Sequence, residues 1–215
     1  MLARTAHQRF TTRADGDLAV SSVDIGARRV AIVDLPWSWL HQVHGADVVT
    51  VTEPGGHAGS EADAAVTATP GAVLAVQVAD CAPVVLLADG VVGVAHAGWR
   101  GIVAGVLPAT VSAMRAIGAG AISARLGPCV HAECYEFGAT ALGEVEAAVG
   151  AAVSGRTSGG SHSLDVPAAV VASLAPLDVP VDVSASVCTA CRADLHWSHR
   201  ARSEQGRQAA LAWLT

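Results

Sequence analysis

A long apolar stretch near the middle of the chain, residues 72–101, constrains the fold more than any other segment. It reads AVLAVQVADCAPVVLLADGVVGVAHAGWRG and consists of two apolar runs separated by Asp89 and Gly90. An Asp-Gly pair supplies the positive φ angles that a tight hairpin turn requires, so we predict a hairpin of buried strands. Cys81 lies near the end of the first run and His96 at the end of the second, where a rigid scaffold can present reactive side chains.

Composition limits the classes of protein to which the chain can belong. Its 215 residues fit one domain, which we place at residues 1–215. Hydrophobic residues make up 52% of the chain and charged residues 15%, which excludes a disordered chain or a coiled coil. The net charge is −6 and there is no basic cluster, so we expect no binding to nucleic acid.

Several sequence features indicate the cellular compartment in which the protein is expected. Residues 1–10 lack the apolar core of a signal peptide. The longest apolar stretch, residues 72–88, is interrupted by Gln77, Asp80 and Pro83, so we expect no membrane span. Five Cys residues are an odd number at low density, which does not suit a disulfide framework. We therefore expect a cytoplasmic protein.

Predicted strands and helices alternate along the chain. Besides the hairpin, strands are predicted at residues 28–35, 47–52, 61–67, 122–126, 179–187 and 208–214. Helices are predicted at residues 102–116, with a bend at Pro108, and at residues 139–152 and 164–177. Residues 37–45 and 156–163 are predicted to be irregular, the latter as a mobile loop. This alternation predicts a single layered α/β (or α+β) domain with a mixed β-sheet flanked by helices.

Two imidazoles and one thiol form the candidate metal site. His44 lies in the segment HQVHG, and the fold must bring it to Cys81 and His96. Two nitrogens and one sulfur suit zinc and leave a fourth position for water or substrate. The spacing is a weak signal by itself, because a buried Cys is usually a small apolar side chain. All three residues, however, adjoin Gly or Pro, where the backbone turns and side chains can converge.

Two charged residues border this candidate site. Asp80 and Cys81 can face one site only if the strand breaks between or beside them. Asp80 would then either hydrogen-bond a ligating imidazole or accept local backbone N–H groups. Arg100 lies between Gly98 and Gly101 at the expected start of a helix, where backbone N–H groups and a guanidinium can bind phosphate. An ordinary surface arginine is the alternative.

A second group of potential ligands lies in the segment CTACRADLHWSH. Its members are Cys188, Cys191, His196 and His199. The four residues between Cys191 and His196 are too few for a ββα zinc finger. A compact four-ligand zinc clip and purely structural residues remain as alternatives.

Seven segments occur in the order typical of one bacterial family. They are FTTR from Phe10, HQVHG from His41, ADAAVT from Ala62, ADCAPV from Ala79, HAGWRG from His96, GPCVHAECYEFG from Gly127, and CT, SHR and QGR between Cys188 and Arg207. Over nearly its whole length the chain resembles the bacterial laccase-domain family, described as polyphenol oxidases and as peptidoglycan editing factor. Members have been assigned as purine nucleoside phosphorylases with adenosine deaminase activity.

The resemblance implies zinc-dependent phosphorolysis of adenosine, inosine and methylthioadenosine, with adenosine deamination as a side activity. The implied catalytic residues are His44, Cys81, His96, Asp80 and Arg100. Of these, His44, Cys81 and His96 would hold zinc, or copper in vitro. The implied substrate-binding residues are Arg13, Arg100, Tyr135 and Arg200. The expected partners are a purine nucleoside and phosphate, with no nucleic acid and no membrane, and the chain is expected to be a monomer or a homodimer.

The chain departs from the family pattern in several places. The segment between Thr12 and Pro36 is shorter than usual and lacks an asparagine-rich portion. His199 replaces a Tyr, His196 and Trp197 replace an aromatic pair, and Val170 replaces a common Asn. The substrate range is therefore less constrained than the metal site.

Three other functions remain open. Cys81 could be a nucleophile with His44 or His96 as its base, as in an amidase that edits peptidoglycan precursors, although a zinc-bound thiolate is not free to acylate. A non-enzymatic zinc-binding interaction module is a second alternative. A copper oxidase is disfavoured, because trinuclear copper sites use His-x-His pairs and the nine His residues include none.

Overall fold

Two mixed β-sheets pack face to face in the computed structural model, which describes residues 4–215. The five-stranded sheet has the order β1 (Ala6–Phe10), β13 (Gln208–Leu214), β6 (Val73–Val78), β2 (Trp37–His41) and β4 (Ser60–Glu61). The six-stranded sheet has the order β12 (Val181–Asp182), β9 (Ser123–Leu126), β7 (Ala82–Ala88), β8 (Val91–Ala97), β5 (Ala64–Thr67) and β3 (Val48–Val51). Each sheet contains parallel and antiparallel pairs.

Helices cover the outer faces of both sheets. The helices are α1 (Ile25–Ile32), α2 (Trp99–Ala104), α3 (Val106–Ala116), α4 (Ala139–Val149), α5 (Val166–Leu174) and α6 (His199–Arg202). Helices α2 to α5 share a core with the six-stranded sheet, and α1 packs on the five-stranded sheet. The predicted α/β class with flanking helices is confirmed, but the strands form two mixed sheets instead of one.

The core between the sheets explains why the central strands carry apolar residues on both of their faces. In β6, Leu74 and Val76 face the other sheet, whereas Val73 and Ala75 face α1 and its surroundings. Side chains alternate between the two faces of a strand, so a strand that is covered on both faces needs apolar residues at every position.

The predicted hairpin is formed by β7 and β8, which pair from Ala88 and Val91 onward, with Gly90 at φ 67° in the turn. The first apolar run, however, is not one strand. It contains β6 of one sheet and β7 of the other, and the chain crosses between the sheets at residues 79–81, where Asp80 has φ 98°. Cys81 therefore lies where the two sheets meet.

The predicted strand at residues 28–35 is wrong, because this segment belongs mainly to helix α1. Ile25, Arg29 and Ile32 recur at helical spacing, and both isoleucines pack with the tryptophans of β2. The guanidinium of Arg29 lies 5.0 Å from the ring centroid of Trp39. Residues 37–45, predicted to be irregular, begin with strand β2.

Three other predicted boundaries differ from the structure. The helix after β8 breaks at Gly105, which has φ 87°, and Pro108 lies in the first turn of α3, where a backbone N–H needs no helical acceptor. Residues 156–163 are not a free loop, because β10 (Ser154–Arg156) pairs with β11 (His162–Leu164). The strand predicted at residues 179–187 is limited to β12, since the Asp182 carboxylate accepts the N–H of Ser184 and the chain turns.

The remaining predicted elements are present with small changes at their ends: β3, β5, β9, β13, α4 and α5. Among residues 4–215, no helix combines the length and the hydropathy needed to cross a membrane.

Candidate metal centre

The structure brings His44, Cys81 and His96 together. The Nε2 atom of His44 lies 3.7 Å from the Sγ atom of Cys81, and the rings of His44 and His96 have centroids 4.7 Å apart. One donor atom from each residue lies within 4.8 Å of the other two. His44 follows β2, Cys81 lies at the crossing between the sheets, and His96 belongs to β8. The cluster therefore joins the two sheets.

A fourth residue, Asp63, organises this cluster and was not predicted. Its Oδ1 atom lies 2.7 Å from Nδ1 of His96, and its carboxylate accepts the backbone N–H groups of Val43, His44 and Gly45 at 3.2, 3.0 and 2.7 Å. Burial alone would raise the pKa of Asp63, but the hydrogen bonds from His96 and from the backbone outweigh it and lower the pKa. The ionised carboxylate thus accepts a hydrogen bond from Nδ1–H of His96, which leaves Nε2 of that ring as the donor atom for a metal.

Asp63 also explains the unusual backbone of the His44 segment. His44 has φ 61°, a left-handed conformation that costs energy for a residue with a side chain. The three N–H groups that bind Asp63 hold the segment in this conformation. The partners of Asp63 lie 18 to 33 residues away along the chain, so local spacing carries no signal for this role. Asp63 does lie within the ADAAVT segment that supports the family resemblance.

The electrostatics of the metal-free cluster favour a thiolate. Burial would raise the pKa of Cys81, but the charge of His96 and hydrogen bonds from His44 and His96 lower it to about 6. Burial would likewise lower the pKa of His96, but the Cys81 thiolate and Asp63 raise it to about 9. Between these two pH values the charged pair of thiolate and imidazolium predominates. The activation of Cys81 thus comes from residues that are distant in sequence.

These three donors fit a tetrahedral metal ion. With the usual zinc–sulfur and zinc–nitrogen lengths, two ligand atoms of a tetrahedral site are about 3.5 Å apart. The His44–Cys81 distance of 3.7 Å already matches this spacing, and the 4.8 Å limit on the whole set requires a contraction of about 1.3 Å at most. Two nitrogens and one sulfur suit zinc, although a His2Cys set also occurs in copper proteins.

Gly98, directly after β8, provides the space for this cluster. A Cβ atom at position 98 would lie 2.6 Å from Cδ2 of His44 and 3.2 Å from Sγ of Cys81. Both distances are shorter than ordinary contacts between carbon or sulfur atoms. Any side chain at this position would displace at least one of the donors.

Two cavities meet at the cluster. The larger has a volume of about 530 Å³, and its wall includes His44, Cys81 and His96. The smaller has a volume of about 130 Å³, and its wall includes Tyr135 and Arg200. Ala79, Cys81 and His199 line both. A shared wall allows two reactants to approach the same atoms.

Asp80 lines the smaller cavity and organises its wall. Its carboxylate accepts the hydroxyl of Thr189 and the backbone N–H of Arg200, each at 2.6 Å. The guanidinium of Arg200 lies 4.8 Å from the centroid of the Tyr135 ring. The predicted break of the strand beside Cys81 is present, but the partners of Asp80 are these distant residues, and the carboxylate that holds an imidazole is Asp63.

The other two predicted arginines lie outside the residues that line these cavities. Arg13 forms an ion pair with Glu204 and lies 5.0 Å from the centroid of the Trp197 ring. Arg100 is exposed, and its guanidinium lies 4.3 Å from the centroid of the Trp99 ring. Helix α2, which carries Arg100, has only 6 residues.

The predicted clip of Cys188, Cys191, His196 and His199 does not form as a unit. Cys188 and Cys191 instead cluster with Cys134 and Glu133. His196 is buried elsewhere, and its Nδ1 atom has no hydrogen-bond partner within residues 4–215. His199 faces the two cavities.

Comparison with known proteins places this site in a family context. A Streptomyces coelicolor protein named purine nucleoside phosphorylase is 45% identical over 207 residues, which cover 94% of this chain and 81% of that protein. An Escherichia coli protein, also named purine nucleoside phosphorylase, is 38% identical over 185 residues, covering 82% of this chain and 73% of that protein. A crystal structure of a Neisseria meningitidis protein matches with a TM-score of 0.85 at 28% identity, covering 97% of this chain and 94% of that chain.

The match to a family model extends over most of the chain. The family described as multi-copper polyphenol oxidoreductase laccase matches residues 13–215, which include every ligand of the candidate metal centre. This match confirms the resemblance found in the sequence motifs. The chain therefore belongs to the laccase-like family whose relatives include the proteins named purine nucleoside phosphorylase.

Proposed function

We propose that this protein is a zinc-dependent purine nucleoside phosphorylase that acts on adenosine, inosine and methylthioadenosine, with adenosine deaminase as a side activity. The observation that carries the proposal is that His44, Cys81 and His96 lie in the wall of the larger cavity and that Cys81 also lines the smaller one. The names of the relatives, at 38% to 46% identity for the Escherichia coli and Streptomyces proteins, supply the reaction class.

The two cavities suit the two reactants. The larger, at about 530 Å³, lies within the range of roughly 300–1,000 Å³ that is typical of small-molecule sites, and would hold the nucleoside. The smaller, at about 130 Å³, would hold phosphate beside the guanidinium of Arg200, since guanidinium groups bind phosphate oxygens in pairs. Cys81 and His199 line both spaces, so the reacting atoms would meet beside them.

The reaction breaks the N-glycosidic bond, and its electron pair leaves with the base. A phosphate oxygen forms the new bond to C1′ while positive charge develops on the ribose. The products are the free base and ribose 1-phosphate, and the base takes up a proton. His199 lines both cavities and would exchange a proton with a reactant in either. Arg200 would hold the phosphate in line with C1′.

His44, Cys81 and His96 would hold the metal, and Asp63 would orient His96. When bound, zinc would supply a Lewis acid that polarises an oxygen of a reactant or lowers the pKa of a water molecule, as deamination requires. Elemental analysis of wild type and Cys81→Ser identifies the metal and this site. Loss of one zinc per chain in Cys81→Ser is expected; copper in place of zinc, or equal zinc in both proteins, would contradict the assignment.

Product analysis tests the reaction. Purified protein is incubated with adenosine or inosine, with and without inorganic phosphate, and the products are separated by chromatography. Free base and ribose 1-phosphate should form only with phosphate, and inosine should appear as a minor product from adenosine. Release of free ribose at the same rate without phosphate would show a hydrolase and contradict phosphorolysis.

The phosphate-binding arginine can be tested with a matched pair of variants. Arg200→Lys and Arg100→Lys both keep the positive charge but lose the planar guanidinium. We expect the KM for phosphate to rise about 10-fold or more in Arg200→Lys, by the magnitude of a lost charged hydrogen bond, because Arg200 lines the smaller cavity. Arg100, which lines neither cavity, should give the smaller change. A larger rise of the KM for phosphate in Arg100→Lys than in Arg200→Lys would show instead that Arg100 binds phosphate, as the sequence predicted.

A second candidate is a cysteine hydrolase. The observation that favours it is the short distance from Sγ of Cys81 to Nε2 of His44, 3.7 Å, together with the lowered pKa of Cys81 in the metal-free protein. Such a pair can form an acyl-enzyme. Amide hydrolysis on a peptidoglycan-precursor peptide should then persist, or increase, after chelation. Loss of all activity on chelation and its return with zinc would exclude this candidate.

A further inference from the structure

A second cluster of potential metal ligands lies away from the candidate metal centre. Cys134 is the last residue of a 3-10 turn that follows β9, and Cys188 and Cys191 flank a backbone turn before α6. The Sγ atoms of Cys134 and Cys191 are 3.4 Å apart, and Oε1 of Glu133 lies 3.9 Å from Sγ of Cys191. One donor atom from each of the four residues lies within 4.8 Å of all the others.

We propose that Cys134, Cys188, Cys191 and Glu133 form a second zinc site with a structural role. Three sulfurs and one carboxylate oxygen complete a tetrahedral set, and a complete set of protein ligands is typical of structural zinc. The spacing Cys188-x-x-Cys191 is the one that many structural zinc sites use to place two thiolates on one turn. The candidate metal centre, called the first site below, has three protein ligands and an open position. The first site is therefore of the catalytic type and the second of the structural type.

The backbone around the cluster is already arranged for this role. The N–H of His131 donates to Sγ of Cys188 at 3.5 Å, a contact that stabilises a thiolate. Cys129 and Cys188 form an isolated parallel bridge, in which Cys129 accepts the N–H of Thr189 at 3.0 Å. A few backbone hydrogen bonds thus hold the two segments side by side. Cys134 on one segment and Cys191 on the other are 57 residues apart in sequence.

A metal at this position would also fix the wall of the smaller cavity. Thr189, between the two cysteines of the turn, donates its hydroxyl to Asp80, which in turn accepts the N–H of Arg200. Tyr135, which directly follows Cys134, lies under the guanidinium of Arg200. The second zinc would therefore hold the residues that face the first site without touching a substrate.

Metal stoichiometry tests the proposal independently of catalytic activity. Variants are purified from zinc-supplemented cells and analysed for zinc per chain. Wild type should hold two zinc ions, Cys191→Ser one, Cys81→Ser one, and the double variant none. Cys129→Ala, a cysteine of the same segment that lies outside the ligand set, should keep two. A single zinc in wild type that Cys191→Ser retains would overturn the second site.

A second measurement remains decisive if a variant folds poorly. Cobalt(II) is added to metal-free Cys81→Ser, in which the first site is disabled, and thiolate-to-cobalt charge-transfer absorption is recorded. One equivalent of cobalt should produce this absorption with the intensity of several thiolates. Absence of the band would overturn the proposal.

Alkylation followed by mass spectrometry separates the zinc site from a disulfide. In zinc-replete wild type, Cys134, Cys188 and Cys191 should be protected together and become reactive together after chelation. The 3.4 Å approach of Cys134 and Cys191 would also permit a disulfide after oxidation. Peptides of Cys134 and Cys191 that are linked in the freshly isolated, zinc-supplemented protein would therefore contradict the proposal.

Discussion

The carboxylate of Asp63 binds both the imidazole of His96 and the backbone of the segment that carries His44. One buried charge thus sets the tautomer of one potential ligand and the position of another. Asp63 lines neither cavity, so it is a positioning residue. Its replacement should lower metal affinity before it affects the catalysed reaction.

Asp63→Asn should weaken zinc binding at the first site by about 10- to 100-fold, the usual effect of losing a carboxylate that orients a ligating histidine. The measurement is competition for zinc against a chelating dye in the Cys191→Ser background, so that one site is observed. Asp89→Asn is the matched control, since Asp89 is exposed and Asn also suits its turn. Equal affinity in both variants would remove Asp63 from this role.

The state of Cys81 gives a pH-dependent prediction. In metal-free protein, the rate of iodoacetamide labelling of Cys81 should rise with pH through about 6, because His96 and His44 lower the thiol pKa against the effect of burial. Below that pH the thiol is protonated and labelling slows; above about 9, His96 loses its proton and its stabilising charge.

Mass spectrometry of labelled peptides measures this profile. Cys129 is an internal control, since burial raises its pKa to about 12 and it should stay unlabelled near neutrality. Zinc should slow the labelling of Cys81 at neutral pH and above, where the ligands are deprotonated, because a bound thiolate donates its electron pair to the metal. A midpoint near the ordinary thiol value of about 8.5 would contradict the pairing with histidine.

The predictability of single residues depends on where their partners are. His44, Cys81 and His96 were identifiable because their chemistry is distinctive and their neighbours, Gly and Pro, mark turns. Asp63 was not, since all of its partners come from other elements. Cys134 was not grouped with Cys191 for the same reason: the cluster forms only when these two residues, 57 positions apart in sequence, are brought together.

At the level of elements, the site depends on short segments that connect the strands. The crossing at residues 79–81 places Cys81, the turn after β2 places His44, and the β8–α2 junction leaves room for both. Periodicity predicted most strands because apolar runs bounded by turn residues are typical of buried strands. It could not show that the run at residues 72–88 divides between two sheets, since both halves are equally apolar. Helix α1 was missed because its β-branched residues favour strands in isolation, whereas packing against two tryptophans decides the conformation.

Gly98→Ala tests the space at this junction. The added methyl group would lie 2.6 Å from the His44 ring, so the ring must move and zinc affinity at the first site should fall at least 10-fold. Zinc competition in the Cys191→Ser background measures this affinity.

Gly138→Ala is the matched control for Gly98→Ala. Gly138 also precedes a helix with φ −69°, and a Cβ atom there would meet no atom within 4 Å. It should show the same small loss of helix-capping energy with unchanged zinc affinity. Normal zinc affinity in Gly98→Ala would mean that the cluster tolerates a shift of His44.

For the whole molecule, the candidate metal centre is a link between the two sheets. His44 extends from the five-stranded sheet, His96 belongs to the six-stranded sheet, and Cys81 lies on the segment that joins them. A metal ion held by all three would oppose separation of the sheets. Binding to the folded state alone stabilises it by about 2.7 kcal/mol when free metal is 100-fold above the dissociation constant.

Chelation should therefore lower the melting temperature of wild type. For a chain of this size, a loss of 2.7 kcal/mol corresponds to roughly 5–10 °C. The shift should be smaller in Cys81→Ser, whose first site is already empty of metal, and unchanged from wild type in Cys129→Ala. Differential scanning calorimetry with and without a chelator provides the measurement. An identical shift in wild type and Cys81→Ser would show that the first site does not link the sheets energetically.

The two cavities that share Ala79, Cys81 and His199 bear on the order in which reactants are bound and products leave. A single pocket with one mouth would force one reactant to enter behind the other. Two cavities that meet at one wall impose no such order of binding. In the proposed reaction, nucleoside and phosphate would each be able to occupy their own cavity first, and the base would be able to depart while the sugar phosphate is still bound. Initial-rate and product-inhibition kinetics should then follow a random sequential scheme, in which neither reactant is obligatory as the first to bind.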